Sequence, residues 1–221
     1  MRMLNLGVLA HVDAGKTSLT ERLLYAAGVI DAVGSVDDGS TQTDSLALER
    51  ERGITIKSAV VSFVRDGVTI NLIDTPGHPD FIAEVERVLN LLDGVVLVIS
   101  AVEGVQAQTR VLMRALQRLS IPTLIFVNKI DRRGARDADV LREIQERLTP
   151  AIVPMASVSR LGTREATVQP CLFTETACAG RLLSLLAERD DALLSAFVDG
   201  GEAIPVRRLR RALGSQTRRG L

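Results

Sequence analysis

At 221 residues, with 46% apolar residues, the chain is long enough for one domain with a real core, or one domain plus a small insert. Basic and acidic residues balance at 27 each, which gives no sign of non-specific affinity for nucleic acid or membrane, and aromatics at 3% argue against stacking on exposed bases. No 18-residue apolar run is present and the start, Met1-Arg2-Met3, leads directly into a strand-like segment, so neither a membrane span nor a signal peptide is expected.

Leu4–Ala10 is a short apolar run that ends in a glycine loop and reads as a buried strand. A helix follows from Lys16 to Ala27, with Leu19, Leu23 and Ala26 on one face and Gly28 as its stop. Residues 29–56 are rich in Gly, Ser, Thr and Asp and read as one long loop of the functional kind. Ser58–Arg65 alternates, Asp66-Gly67 is a hairpin signal, and Val68–Asp74 is the return arm. Phe81, Val85, Val88, Leu89 and Leu92 then follow helical spacing. Gly94–Ala101 is nearly all apolar, as a strand buried on both faces should be. Leu112, Ala115, Leu116 and Leu119 mark a helix, Thr123–Asn128 a buried strand, and Val140, Leu141, Ile144 and Leu148 another helix. This alternation predicts an α/β fold: a mostly parallel twisted sheet with helices on both faces and one antiparallel hairpin strand. Beyond residue 148 a strand is expected near Ala151–Val158, and helices near Arg181–Glu188, Ala192–Val198 and Val206–Leu213. The last segment, Pro205 to Leu221, carries six Arg and no acid, and a solvated helix face is the plain reading of it. Cys171 and Cys178 form no metal or redox motif and are expected to be reduced thiols of a cytoplasmic protein.

Four segments carry chemistry. Ala10-His11-Val12-Asp13-Ala14-Gly15-Lys16-Thr17 lies between a predicted strand and a predicted helix. It fits G-x-x-x-x-G-K-[ST] with Ala10 in the first glycine position. Such a loop turns backbone N–H groups toward phosphate oxygens, and the helix N-terminus adds its positive end. Lys16 would reach the β- and γ-phosphates, and the Thr17 hydroxyl would ligate Mg²⁺. A glycine turn with an accidental Gly-Lys-Thr is the plain alternative. Asp74-Thr75-Pro76-Gly77-His78 ends a buried strand 57 residues after Thr17. There Asp74 would hold Mg²⁺ through water, Gly77 would let the backbone approach the γ-phosphate, and His78 would orient an attacking water. Asn128-Lys129-Ile130-Asp131 also ends a strand. A carboxylate is the natural acceptor for the two N–H donors on the Watson–Crick edge of guanine, which adenine lacks, so Asp131 argues for GTP over ATP. Asn128 would tie this loop to the phosphate loop, and the Lys129 stem would cover the base. Arg52-Gly53-Ile54-Thr55-Ile56 closes the long loop, and Thr55 is the candidate hydroxyl that completes the Mg²⁺ shell. Open α/β sheets bind ligands at strand C-terminal ends, where three of these motifs fall in order.

This set of motifs resembles the elongation factor G branch of translational GTPases, in which Ala is the ordinary residue at the position of Ala10. Gly34-Ser35-Val36-Asp37, Thr41-Gln42-Thr43-Asp44, Leu48-Glu49-Arg50, the run Gly104 to Arg110 and Ile121-Pro122-Thr123 are more similar to the ribosomal protection proteins that confer tetracycline resistance. The resemblance implies a P-loop GTPase core over residues 1–148, and a remainder, 149–221, similar to the family's insert subdomain. It implies GTP and GDP as ligands with Mg²⁺, His78 as the catalytic residue that positions water, and the ribosome as partner of the full-length family. No membrane and no sequence-specific nucleic-acid contact are expected. The family's fifth nucleotide motif, Gly-Ser-Ala on a final strand, has no match. The chain is therefore expected to be a truncated or excised GTP-binding domain with low basal activity. A fragment of elongation factor G itself, or a non-catalytic remnant with weak nucleotide binding, remain the alternatives.

Overall fold

A computed structural model describes residues 2–34, 59–75, 87–171, 176–198 and 204–218. The first unit is a five-stranded sheet. β1 (Arg2–Ala10) leads to α1 (Lys16–Ala26); β2 (Ala59–Arg65) and β3 (Val68–Asp74) form a hairpin; β4 (Gly94–Ser100) precedes α2 (Ala107–Arg118); β5 (Thr123–Asn128) precedes α3 (Ala138–Arg147). The strand order is β2-β3-β1-β4-β5. All neighbours run parallel except β2, which pairs antiparallel with β3. The hairpin turns at Asp66 and Gly67, with φ of 50° and 75°, the left-handed pair that a two-residue turn of this hand requires.

Alternation along the strands sorts the core. Val8 and Ala10 of β1, Leu72 of β3, and Val96 and Val98 of β4 face α1, where Leu24 is fully buried against them. Leu9, Ile73, Val95 and Leu97 face the other way, onto Leu112, Met113 and Leu116 of α2. On that same face Ile99 packs with Val140 and Ile144 of α3. Helices therefore cover both faces, as the sequence pattern requires. The helix expected around Phe81 falls mostly outside the described residues; its end at 87–89 is helical, and Leu89 and Leu92 are buried in the α2 face. The long loop expected over 29–56 lies outside them from residue 35 onward.

β5 forms the edge of the sheet among the described residues. It pairs with β4 alone, and its Leu124 and Phe126 are 55% and 37% exposed. The unbroken apolar run leads one to expect a buried strand, but among the described residues only the α3 side of β5 is covered.

The second unit holds its own two-stranded antiparallel sheet, β6 (Ala156–Ser159) with β7 (Thr167–Pro170), and three helices. These are α4 (Thr176–Ala187), α5 (Asp191–Val198) and α6 (Val206–Arg218). Leu182, Leu186, Leu193 and Leu209 bury one another, with Val153 against them. The strand expected at Ala151–Val158 starts later, at Ala156, and does not join the main sheet. Pro150 and Pro154 flank the apolar pair Ile152-Val153, and neither proline can donate to a ladder. Those two apolar side chains pack on the α3 cluster and the α4–α6 cluster instead. β7 is exposed at every residue and carries no periodic signal. Arg207, Arg208, Arg210 and Arg211 of α6 are exposed, and Arg208 donates to the Ala192 carbonyl at 2.9 Å, so the described part of the basic run is a solvated helix face.

The two cysteines correct an expectation. Cys171 and Cys178 are joined as a disulfide, not held as free thiols. Cys178 lies in the first turn of α4, and its Cα is 6.0 Å from that of Cys171, within disulfide reach. Among the described residues no helix is long and apolar enough to cross a membrane.

Candidate functional site

The C-terminal ends of β1, β3 and β5 bring three of the four motifs together. After Ala10 the chain leaves β1 through His11 and turns at Asp13 (φ 62°) and Gly15 (φ 90°) before α1 begins at Lys16. Alternating left-handed residues of this kind point successive backbone N–H groups to one side and form an anion-binding concavity. The first N–H groups of α1 have no partner within the helix, and its dipole places positive charge at the same point. The loop is thus built to receive an anion before any side chain is considered.

Two buried side chains define its charge. Lys16 and Asp74, 7% and 1% exposed, form an ion pair across the gap between α1 and the end of β3. Thr17 and Thr75 are buried beside them, and the Thr75 hydroxyl donates to the Val8 carbonyl at 3.0 Å, which fixes the end of β3 to β1. The Thr17 hydroxyl and Asp74 carboxylate are hard oxygen donors, the chemistry that suits Mg²⁺. Pro76, Gly77, His78 and Thr55 lie outside the described residues.

The third motif reaches the first directly. Asn128, at the end of β5, donates its amide to the Ala14 carbonyl at 2.9 Å and, more weakly, to that of Gly15 at 3.5 Å. The approach is so close that a Cβ on Gly15 would stand 2.3 Å from the Asn128 amide nitrogen. Lys129 adopts a left-handed turn (φ 60°), Ile130 accepts a bond from the Gly162 N–H at 2.8 Å, and Asp131 is exposed at the rim. The turn between β6 and β7 therefore buttresses the loop that carries Asp131. Ala10 and Ala14 are buried, Val12 is half-buried and Asp13 is exposed.

Sequence reasoning missed a fourth group at this site, the turn that follows β4. His11 is buried, with Nδ1 at 3.2 Å from the Thr109 hydroxyl and Nε2 at 3.1 Å from a Glu103 carboxylate oxygen. A carboxylate only accepts, so Nε2 is the nitrogen that donates, toward Glu103, and Nδ1 faces the Thr109 hydroxyl, which can donate or accept. The other Glu103 oxygen is 4.0 Å from the Lys129 ammonium. The run from Gly104 to Arg110 stands out in the sequence only as a family similarity; nothing in its residue types points to Glu103 or Thr109.

Glu143 of α3 secures the same turn. Its carboxylate accepts the Val105 N–H at 3.0 Å and pairs with Arg136 at 3.0 Å and Arg147 at 3.5 Å. The Val105 N–H and the two guanidinium groups hold the Glu143 carboxyl below its usual range, against burial, which pushes it up.

The family described as Elongation factor Tu GTP binding domain matches residues 1–207. The oxytetracycline resistance protein of Streptomyces rimosus is 60% identical over 222 residues, covering 100% of this chain and 34% of that protein. The tetracycline resistance protein TetM of Streptomyces lividans is 54% identical over 202 residues, covering 91% of this chain and 31% of that protein. The chain thus spans about a third of the length of these curated relatives. Among solved structures, a protein of Thermus thermophilus superimposes with a TM-score of 0.85 at 26% identity, over 100% of this chain and 36% of its own.

Proposed function

Since the chain belongs to the elongation factor Tu GTP-binding domain family, we propose that it binds GTP and GDP and hydrolyses GTP. We further assign it to a ribosome-associated factor of the tetracycline-resistance ribosomal protection type, acting in the cytoplasm, where the Cys171–Cys178 bridge would be open to reduction. The bond from Asn128 to Ala14 carries this reading. It joins the loop suited to phosphate with the loop whose Asp131 suits guanine, so one nucleotide can lie across both.

In this reading the Ala10–Thr17 loop wraps the phosphates with backbone N–H groups, and Lys16 supplies the neutralising charge. Asp131 accepts the two guanine N–H donors, and the Lys129 stem covers the base. Mg²⁺, when bound, would spread the charge of the phosphates; the Thr17 and Thr55 hydroxyls would hold it, with Asp74 contributing through water. His78 orients the attacking water. Phosphoryl transfer needs little covalent help from protein, so positioning and charge stabilisation do the chemistry. Turnover of the 221-residue chain alone is expected to be slow. Residues 149–221 are assigned to the insert subdomain of the family, consistent with a separate core under α4, α5 and α6.

The test is calorimetric titration of the chain with GDP, GTP and ADP in the presence of Mg²⁺. Binding of both guanine nucleotides, with ADP far weaker, supports the reading. Equal affinity for GDP and ADP, or none for any of them, refutes it.

A further inference from the structure

The nucleotide site, as proposed above, comes in two halves on different loops, and a single carboxylate touches both. Glu103 meets His11 of the phosphate loop at 3.1 Å through one oxygen and Lys129 of the base loop at 4.0 Å through the other. From these contacts we infer that Glu103 is a positioning residue that couples the two loops, so that ordering of one is felt by the other.

The coupling depends on Glu103 being held in place, and its turn is anchored from three sides. The Ser100 hydroxyl, fully buried at the end of β4, accepts the N–H groups of Val102 and Glu103, both at 3.2 Å. The Glu103 carbonyl accepts the Gln106 amide at 2.7 Å. Gly104 donates back to the Ser100 carbonyl at 2.9 Å and turns with φ of 68°; a Cβ there would lie 2.5 Å from a Glu143 oxygen. Arg136 completes the brace, with its backbone N–H on the Ala101 carbonyl at 2.9 Å and a guanidinium nitrogen on the Val102 carbonyl at 3.3 Å. Ala101 in turn donates to the Asn128 carbonyl at 2.8 Å, so the brace is continuous with the base loop.

The arrangement at His11 gives the coupling its geometry. The Glu103 carboxylate can only accept, so Nε2 presents its N–H to it, while the Thr109 hydroxyl holds Nδ1 from the other side. The ring therefore acts as a rigid strut between α2 and the turn after β4. His11 begins the loop that carries Lys16, and Ala14 donates to its carbonyl at 3.3 Å. Lys129 is 28% exposed and Glu103 40%, so solvent screens their pair and the coupling is modest.

The experiment measures the dissociation rate of GDP bearing a methylanthraniloyl fluorophore. The variants are His11→Asn, which keeps a group for Thr109 but cannot reach Glu103, and Lys129→Met, which keeps the apolar stem and loses the ammonium. Each is made singly and together, in the native chain and in Glu103→Ala and Glu103→Gln. Melting temperatures identify any variant that fails to fold, and Glu103→Gln serves if Glu103→Ala does so. In the native background the double variant should depart from additivity by about threefold, the size of a coupling between part-exposed groups. The departure should vanish in Glu103→Ala and shrink in Glu103→Gln, which keeps a bond to His11 but no charge toward Lys129. Additive effects in the native chain, or an unchanged departure when Glu103 is replaced, overturn the inference while leaving guanine binding intact. Failure of the native chain to bind the labelled GDP overturns the nucleotide reading itself, and the inference with it.

Discussion

Replacing Gly15 with alanine should damage the site in a way that depends on Asn128. Gly15 adopts φ of 90°, a conformation that costs an L-residue about 1–2 kcal/mol. A Cβ there would also stand 2.3 Å from the Asn128 amide nitrogen, far inside contact distance. Asn128 has a short side chain and cannot withdraw without losing its 2.9 Å bond to Ala14, a further loss of about 0.5–1.5 kcal/mol. The two effects together predict a loss of about 1.5–3.5 kcal/mol for Gly15→Ala. Urea denaturation, followed by circular dichroism, measures it. In an Asn128→Ala background the steric part disappears, so Gly15→Ala should then cost only the backbone strain, about 1–2 kcal/mol. An equal cost in both backgrounds, or a loss below about 0.5 kcal/mol in the native chain, would refute the close-approach argument, because surface changes alone stay within that range.

Glu143 should make stability depend on acid. Its carboxyl is held below its ordinary value, so its contribution is complete above the unfolded-state value and is lost as pH falls through the lowered folded-state value. Glu143→Gln should therefore cost about 1–2 kcal/mol at neutral pH and much less in strong acid, and equal losses in both would contradict the assignment. The Cys171–Cys178 disulfide closes a short loop, with a sequence separation of 7, and its reduction should cost at most about 2–3 kcal/mol on chain-entropy grounds. Urea midpoints with and without dithiothreitol measure this, and a Cys171→Ser variant that still responds to reductant would show that the effect lies elsewhere.

How much was legible in the sequence follows from where each signal resides. β1 and β4 were readable because both faces are covered, which demands unbroken apolar runs such as Gly94–Ser100. The hairpin was readable because Asp66-Gly67 satisfies two left-handed positions with adjacent residues. The same logic misjudges β5, since an apolar run shows that a strand can be buried but not that something covers it; Leu124 and Phe126 are exposed. The phosphate, Asp74 and Asn128 motifs were legible because each is a short local pattern at a strand end. The Glu103–His11–Thr109 group was not, because it joins residues up to 98 apart and each one alone is an ordinary polar residue. The disulfide was equally hidden: a C-x6-C spacing does not say that the two Cα atoms lie 6.0 Å apart. β6, with alternate residues half-buried, overlaps the strand expected at Ala151–Val158, whereas its partner β7 is exposed at every residue, where neither periodicity nor an apolar face is required.

The central claim is that guanine is read by the carboxylate of Asp131. The measurement that tests it most directly is the relative affinity of the native chain and of Asp131→Asn for GDP and for xanthosine diphosphate. Guanine presents two N–H donors to the carboxylate, whereas xanthine carries a carbonyl in place of the amino group and so matches an amide, which both donates and accepts. The account predicts that the native chain prefers GDP and that the variant reverses this preference in favour of xanthosine diphosphate. An Asp131→Asn variant that remains folded and keeps the native preference for GDP would contradict it.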